Sequence, residues 1–353
     1  MYGGLEITMA QSNISGPLYV GGVPTMGMGG FPAFTGTYYF VDAVNGSNGN
    51  SGTASSPLAT VYSAFDRCVS GHNDVVVIVG NGGTSATQRL SLANAQLTDS
   101  AATAGTLVWN KNATHLIGMT APTTNARARF APPTGTYTMA TFGSGNFVTV
   151  SGTGCYFSNF SLFNGFSTGG TGQICWTDSG GRNYYDGVSF GGAGDAASAQ
   201  ATSSRSLLIT GTTGENTFVN CDIGLDTVTK TVANASLEFA AGTPRNKFIN
   251  CIFPMTTSSA TTLSVLITGA SAIDRFQLFK NCWFPNAMSS GATAQTAIVS
   301  MTSASPGGYL IMDNCAFVGN ASTNWGDTNA LANIYIMGAT PTAGTNGIGI
   351  NPT

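Results

Sequence analysis

The sequence predicts an all-β protein, a single-stranded parallel β-helix of coils about 30 residues long, with a capping helix and an extended N-terminal arm. Three observations predict it. Four short stretches, FVNCDI, FINCIF, FKNCWF and MDNCAF, repeat one pattern, and their cysteines at 221, 251, 282 and 315 fall 30, 31 and 33 residues apart. A fixed period of this length marks a solenoid. Each copy follows a β-rich run and a short polar turn, with no helical period between copies, which separates a β-helix from helical or leucine-rich arrays. Finally, the side-chain parity of the repeated stretches fits short strands that bend at each Asn. Only 8% of the 353 residues are charged and 47 are Gly, whereas an ordinary soluble domain has roughly 25% charged residues.

Residues 1–35 read as an extended arm. Leu18, Tyr19, Val23, Met26, Met28, Phe31 and Phe34 make it apolar, yet no period persists for more than four residues. Such a segment seldom stays free in water; it lies on its own domain or along a partner, and the partner-binding anchor is the expectation carried forward.

Residues 36–83 form an opening and cap module. TYYFVDA is a strand and NGSNGNSGTASS a Gly/Asn/Ser turn. SSPLATVYSAFDRCV is a helix with Ser56 as N-cap, Pro57 at its first position, and Val61, Ala64, Phe65 and Cys68 on its inner face. HNDVVVIVGNGG follows as a buried strand. This order of strand, Gly-rich turn, Ser-Pro-capped helix and apolar strand resembles the opening of the pectate-lyase-like right-handed parallel β-helix proteins. The resemblance implies a right-handed solenoid whose open end is closed by the helix. Many phage tailspikes and other virion proteins share that opening.

Residues 84–332 are the β-helix proper. Its side-chain parity predicts the role of the repeated Asn-Cys pair. In FKNCWF, Phe279 and Cys282 both belong inside and Lys280 outside, which strict alternation forbids. A left-handed bend at Asn281 resets the parity, and Asn tolerates that backbone region better than most residues. Asn220, Asn250, Asn281 and Asn314 are therefore expected to stack as an amide ladder, and Cys221, Cys251, Cys282 and Cys315 as small buried groups. In two looser copies, Asn159 and Asp186 take the Asn position, with Phe160 and Gly187 in the Cys position. Residues 333–353 supply a final strand and a tail.

The chemistry offered is sparse. No Cys pair has zinc spacing, so neither a metal nor a cofactor is expected. His72 and His115 are the chain's two histidines and read as surface or core residues rather than bases. Glu215, Arg245 and the pair Asp274–Arg275 fall in corresponding turns, and Lys280 and Asp313 share an outward slot; both read as ion pairs. A glycosidase needs two carboxyls roughly 5–9.5 Å apart, and Asp222 with Asp226 is the pair worth inspecting. Trp283 and Trp325 read as outward aromatics, interface anchors or platforms for sugar rings.

A net charge of −3 with no Lys/Arg cluster argues against nucleic acid. No run approaches the roughly 18 apolar residues of a membrane span. The N-terminus does not read as a secretory signal, so synthesis in a reducing host cytoplasm is expected, with thiols kept free. A weakly charged exterior implies coverage by other subunits. Together with the resemblance, this leads to the expectation of a non-enzymatic bacteriophage virion protein. It would be a capsid decoration or cement protein on the head surface, homotrimeric, and anchored through the arm to the major capsid protein or another virion protein. The alternative is a tailspike or tail-fibre protein that binds or depolymerises bacterial surface polysaccharide; a glycan-binding adhesin is a third reading.

Overall fold

The computed structural model describes residues 19–20, 23–24, 34–80, 90–91, 107–131, 146–164, 173–193, 201–286, 292–319, 325–337 and 347–348. They form a parallel β-helix. One sheet has 12 strands, a second has seven and a third has five. Pairing in these sheets is parallel, each strand against the next coil's equivalent. Of the arm, Tyr19–Val20 pairs antiparallel with Val23–Pro24; Leu18, Met26, Met28 and Phe31 lie outside the described residues.

Helix α1 (Val61–Arg67) caps the solenoid's beginning. Its N-cap is Thr60, whose Oγ accepts from the Ser63 N–H, and not Ser56. Pro57 sits instead in an extended stretch, because Leu58 bridges to Val41 as part of the first coil. Val61, Ala64 and Phe65 face the core, and the Phe65 ring lies 4.2 Å from that of Trp109. Lys111 Nζ donates to the Phe65 and Asp66 carbonyls at 2.8 and 2.7 Å, satisfying acceptors that the helix end would leave open.

The inner face of the largest sheet is a column of stacked rings. Phe157, Tyr185, Phe218, Phe248 and Phe279 follow one another with centroid spacings of 4.9, 4.4, 4.7 and 4.8 Å. All are fully buried. In-register strands impose this spacing, and each ring pair adds about 0.5–1.5 kcal/mol beyond its burial. One carboxylate shares this interior. Asp178 accepts from the Tyr185 hydroxyl at 2.5 Å, from Asn183 Nδ2 at 3.0 Å and from the Gly181 N–H at 3.0 Å, and burial pushes its pKa up.

The Asn residues turn the chain off the largest sheet, Asn220 into the five-strand sheet and the later ones into the bridges and strand pair that continue it. Asn220, Asn250, Asn281 and Asn314 have φ of 52, 54, 53 and 50°. Their amides bond from coil to coil: Asn314 Nδ2 to Asn281 Oδ1 at 2.8 Å, Asn281 to Asn250 at 3.1 Å and Asn250 to Asn220 at 3.5 Å. Asn220 Nδ2 ends the ladder on Asp186 Oδ1 at 3.3 Å. Phe279 and Cys282 are buried, while Lys280 and Trp283 face outward. One loose copy differs from expectation. Asp186 pairs with Val219, so Gly187 (φ 63°) takes the bend and Val188 the Cys slot. A Gly bends there at no steric cost, which leaves Asp186 one position early as the ladder's terminal acceptor.

Replacing Asn281 with Val is expected to cost about 1–2 kcal/mol for the left-handed backbone and about 1 kcal/mol for the lost amide bonds. Urea unfolding checks this; Asn281→Gly, which keeps the bend but not the amide, should show only the second loss.

All seven cysteines are free thiols. Cys251, Cys282 and Cys315 direct Sγ to the Phe218, Phe248 and Phe279 carbonyls at 3.6, 3.4 and 3.4 Å. Charged side chains line one outer edge: Arg182 and Arg245 both engage Glu215 and hold its carboxyl down to about 2, and Arg275 pairs with Asp274. At the other end of the strand Ile273–Lys280, Lys280 Nζ lies 3.1 Å from Asp313.

Phe34, expected on a partner, is seated on the chain's own largest sheet. Its ring stacks on His115 at 3.7 Å and lies 5.6 Å from Tyr156. His115 is buried, with Nδ1 accepting from the Tyr156 N–H at 3.0 Å. Burial lowers its pKa to about 4 from the ordinary 6.5, against a smaller opposing pull from Asp74. The folded state therefore binds the proton less readily than the unfolded chain, and stability should fall as pH drops from 6.5 toward 4. Thermal unfolding of the wild type and His115→Phe across this range checks it, the variant showing the shallower decline.

Candidate functional site

The five-strand sheet presents its outer face as one registered column. Arg129, Ser161, Ser189 and Asp222 are cross-strand neighbours. Isolated bridges continue the column from Asp222 to Ile252 and Trp283, and Ala316 follows. The residues 120–128 lie over its first half. Ser161 Oγ donates to the Ala126 carbonyl at 2.7 Å, the Asn125 N–H donates to Ser189 Oγ at 3.1 Å, and Arg129 holds the Asn125 and Ala126 carbonyls at 3.0 and 3.1 Å. Beyond Asp222 the column opens, and Trp283 is 47% exposed.

Asp222 is thus an acid at the rim of a covered surface. It is buried, with Oδ2 accepting from Ser189 Oγ at 2.9 Å. Burial raises its pKa; hydrogen bonds from Ser189 and Thr124 pull it back, and the nearby charge of Asp226 raises it again. Gly224, at φ 136°, turns the chain off this strand, and a Cβ there would lie 2.2 Å from the Pro254 carbonyl. The turn delivers Asp226 to the exposed side of the next strand, Leu225–Lys230. Two carboxyls close enough to interact, one buried and one solvated, are the arrangement in which one serves as acid and the other as carboxylate.

A second polar cluster was missed in the sequence. Lys230 is buried, with Nζ donating to Ser236 Oγ at 2.9 Å, and burial lowers its pKa to about 7, helped by the charge of Arg205. Arg205 Nε meets Glu238 at 2.6 Å, and Glu238 also accepts from Thr268 Oγ1 at 2.6 Å. The sole cue was Lys230 in an otherwise uncharged stretch, TVTKTVANAS. Trp325, expected outward, is instead buried against Phe284 and Phe317. Among the described residues no three His, Cys, Asp or Glu side chains are grouped to hold a metal ion, and no helix is long and apolar enough to cross a membrane.

No protein-family profile matches the chain, and no curated protein does. Solved structures do. The pectate lyase Pel9A superposes with a TM-score of 0.57 at 12% identity, over 86% of this chain and 69% of that one. A rhamnogalacturonan lyase gives 0.50 at 13% identity, over 86% and 72%. The pectin methylesterase PemA from Erwinia chrysanthemi gives 0.43 at 12% identity, over 85% and 78%. The chain thus shares the parallel β-helix fold of the two lyases. These neighbours correct the expectation of a non-enzymatic chain: the fold is one that two polysaccharide lyases use, so a scarcity of catalytic motifs in the sequence is no ground for a purely structural role.

Proposed function

We propose that the protein binds and depolymerises an extended polysaccharide along the outer column of the five-strand sheet. The observation that carries this reading is the raised, half-sheltered carboxyl of Asp222 beside Asp226, in register with the exposed indole of Trp283. Trp283 stands two strands from Asp222, on the order of 10 Å, which is suited to stacking one sugar while its neighbour meets the acid. Asp222 would protonate the leaving glycosidic oxygen, and Asp226 would act as the carboxylate partner. The fold shared with two polysaccharide lyases supports the substrate class. As its setting we propose the surface of a bacteriophage virion, in the manner of a tailspike, on the resemblance of residues 36–83.

Lys230 favours a second reading. A lysine near neutrality is a competent base, so cleavage by elimination would draw on it rather than on the acid pair. Incubating the protein with a panel of bacterial capsular and O-antigen polysaccharides, with chain length measured by size exclusion, tests the proposal. Shortened chains with new reducing ends support the acid pair; products carrying the ultraviolet absorbance of an unsaturated sugar support Lys230. Neither shortening nor retention of any glycan would overturn both readings.

A further inference from the structure

The outward column that runs from Arg129 to Ala316 is covered at one end and bare at the other. Ser161, Ser189 and Asp222 point away from the core, because Leu162, Phe190 and Ile223 beside them point into it. They are nevertheless only 5, 3 and 8% exposed. Farther along, Ile252 is half-buried, and Trp283 and Ala316 are exposed. An outward side chain is buried only where something lies on it. Here the cover is the chain's own residues 120–128, and it stops at Asp222.

The cover is held as a fixed wall. At its start, Asn159 Nδ2 donates to the Gly118 and Thr120 carbonyls at 2.9 and 2.6 Å. At its end, the Ser161 N–H donates to the Ala128 carbonyl at 2.9 Å. Ala126 and Ala128 are fully buried under it, while Thr123, Thr124 and Asn125 stand exposed above the sheet. Arg129 grips the Asn125 and Ala126 carbonyls, and the Asn125 N–H is tied to Ser189 Oγ. The last contact of the wall is a hydrogen bond between Thr124 and Asp222 itself. Lifting the segment would break these bonds together, so it stays seated.

We propose that this wall makes cleavage end-directed: a polysaccharide lying on Trp283 and Asp222 stops against Thr124 and Asn125, so short fragments leave from a chain end and internal bonds are spared. The inference rests on the reading of Asp222 as the acid. From Asp222 to Ala316 are three strand steps, on the order of 14 Å, over which the polymer has an open floor. On the other side of Asp222 the floor rises at once into the wall. The step is hydrolysis. The glycosidic C–O bond breaks and the leaving oxygen takes the Asp222 proton, while water gives its hydroxyl to the anomeric carbon and its proton to Asp226. Proton exchange with solvent then resets the pair.

The test uses a polysaccharide that the wild type shortens, tagged with a fluorophore at its reducing end and followed by size exclusion. Early in the reaction the tag should sit on chains only slightly shortened, or on short pieces released at once, according to which end enters. Tagged chains of intermediate length should be nearly absent; a broad spread of them overturns the proposal. A protein that shortens no polysaccharide rejects the reading of Asp222 as well, so the two failures are told apart. As a second readout, replacing residues 121–125 with two glycines in the full-length protein should raise the early share of intermediate tagged chains severalfold. An unchanged share in a variant with wild-type circular dichroism also overturns the proposal, and the wild-type readout decides whether or not that variant folds.

Discussion

Phe248→Ala is expected to destabilise the fold by about 3–5 kcal/mol. The ring is fully buried between Phe218 at 4.7 Å and Phe279 at 4.8 Å, both within 8° of parallel, and meets Phe239 edge-on at 6.0 Å. Truncation removes its own burial and leaves a slot one ring thick. The backbone cannot close that slot, because the strands above and below are fixed in register with their own neighbours. In a solenoid each coil is held by the two beside it, so a gap in mid-stack weakens two interfaces at once. Phe317→Ala, a half-buried ring outside this stack that meets Trp325 edge-on at 4.7 Å, should cost less than half as much. Equilibrium unfolding in urea, with the two variants compared at equal slope, reads the difference; equal losses would mean that a place in the buried stack adds nothing.

The second large effect is on activity. On any polysaccharide that the wild type shortens, Asp222→Asn should lower the rate by about 10²–10⁴-fold, the usual contribution of a positioned acid. Asn is nearly isosteric and keeps an acceptor for Ser189 Oγ, so the fold should survive. Asp226→Asn has a distinct outcome. The Asp226 charge is one of the influences raising the Asp222 pKa; without it Asp222 loses its proton at lower pH. The alkaline limb of the pH–rate profile should therefore move to lower pH, along with any fall in rate. A merely structural Asp226 would leave that limb in place. Full activity in Asp222→Asn would remove the acid pair from the mechanism and shift attention to Lys230.

Much of the architecture was legible because it repeats. The parity conflict at Phe279, Lys280 and Cys282 can be resolved in one way, by a bend at Asn281, and the chain bends there. Reading failed where repetition was imperfect. Asp186–Gly187 was placed one residue out because Gly imitates no side-chain pattern, and its tolerance of positive φ outweighed the more obvious Asp. Ser56-Pro57 has the composition of a helix start, but pairing of Leu58 with Val41 kept that stretch extended and moved the start to Thr60. Trp325 was read as outward because the short helix α2 (Thr328–Leu331), capped by Asp327 accepting from the Ala330 N–H, left no periodic trace. As for the candidate site, Asp222 and Asp226 stood out as neighbouring carboxylates. What brings Trp283 into line with Asp222, and Arg205 beside Lys230, is register between coils, a long-range property that single-sequence spacing does not carry.

The amide ladder has a direction. Each Asn donates to the coil before it, and the series ends on the carboxylate of Asp186. Any stretch from one Cys to the next Asn, such as 251–281, carries its own bend, ring, thiol and donor. The ladder is therefore modular: each coil brings the donor that the coil before it needs, and only the first coil of the series needs a carboxylate in place of an amide.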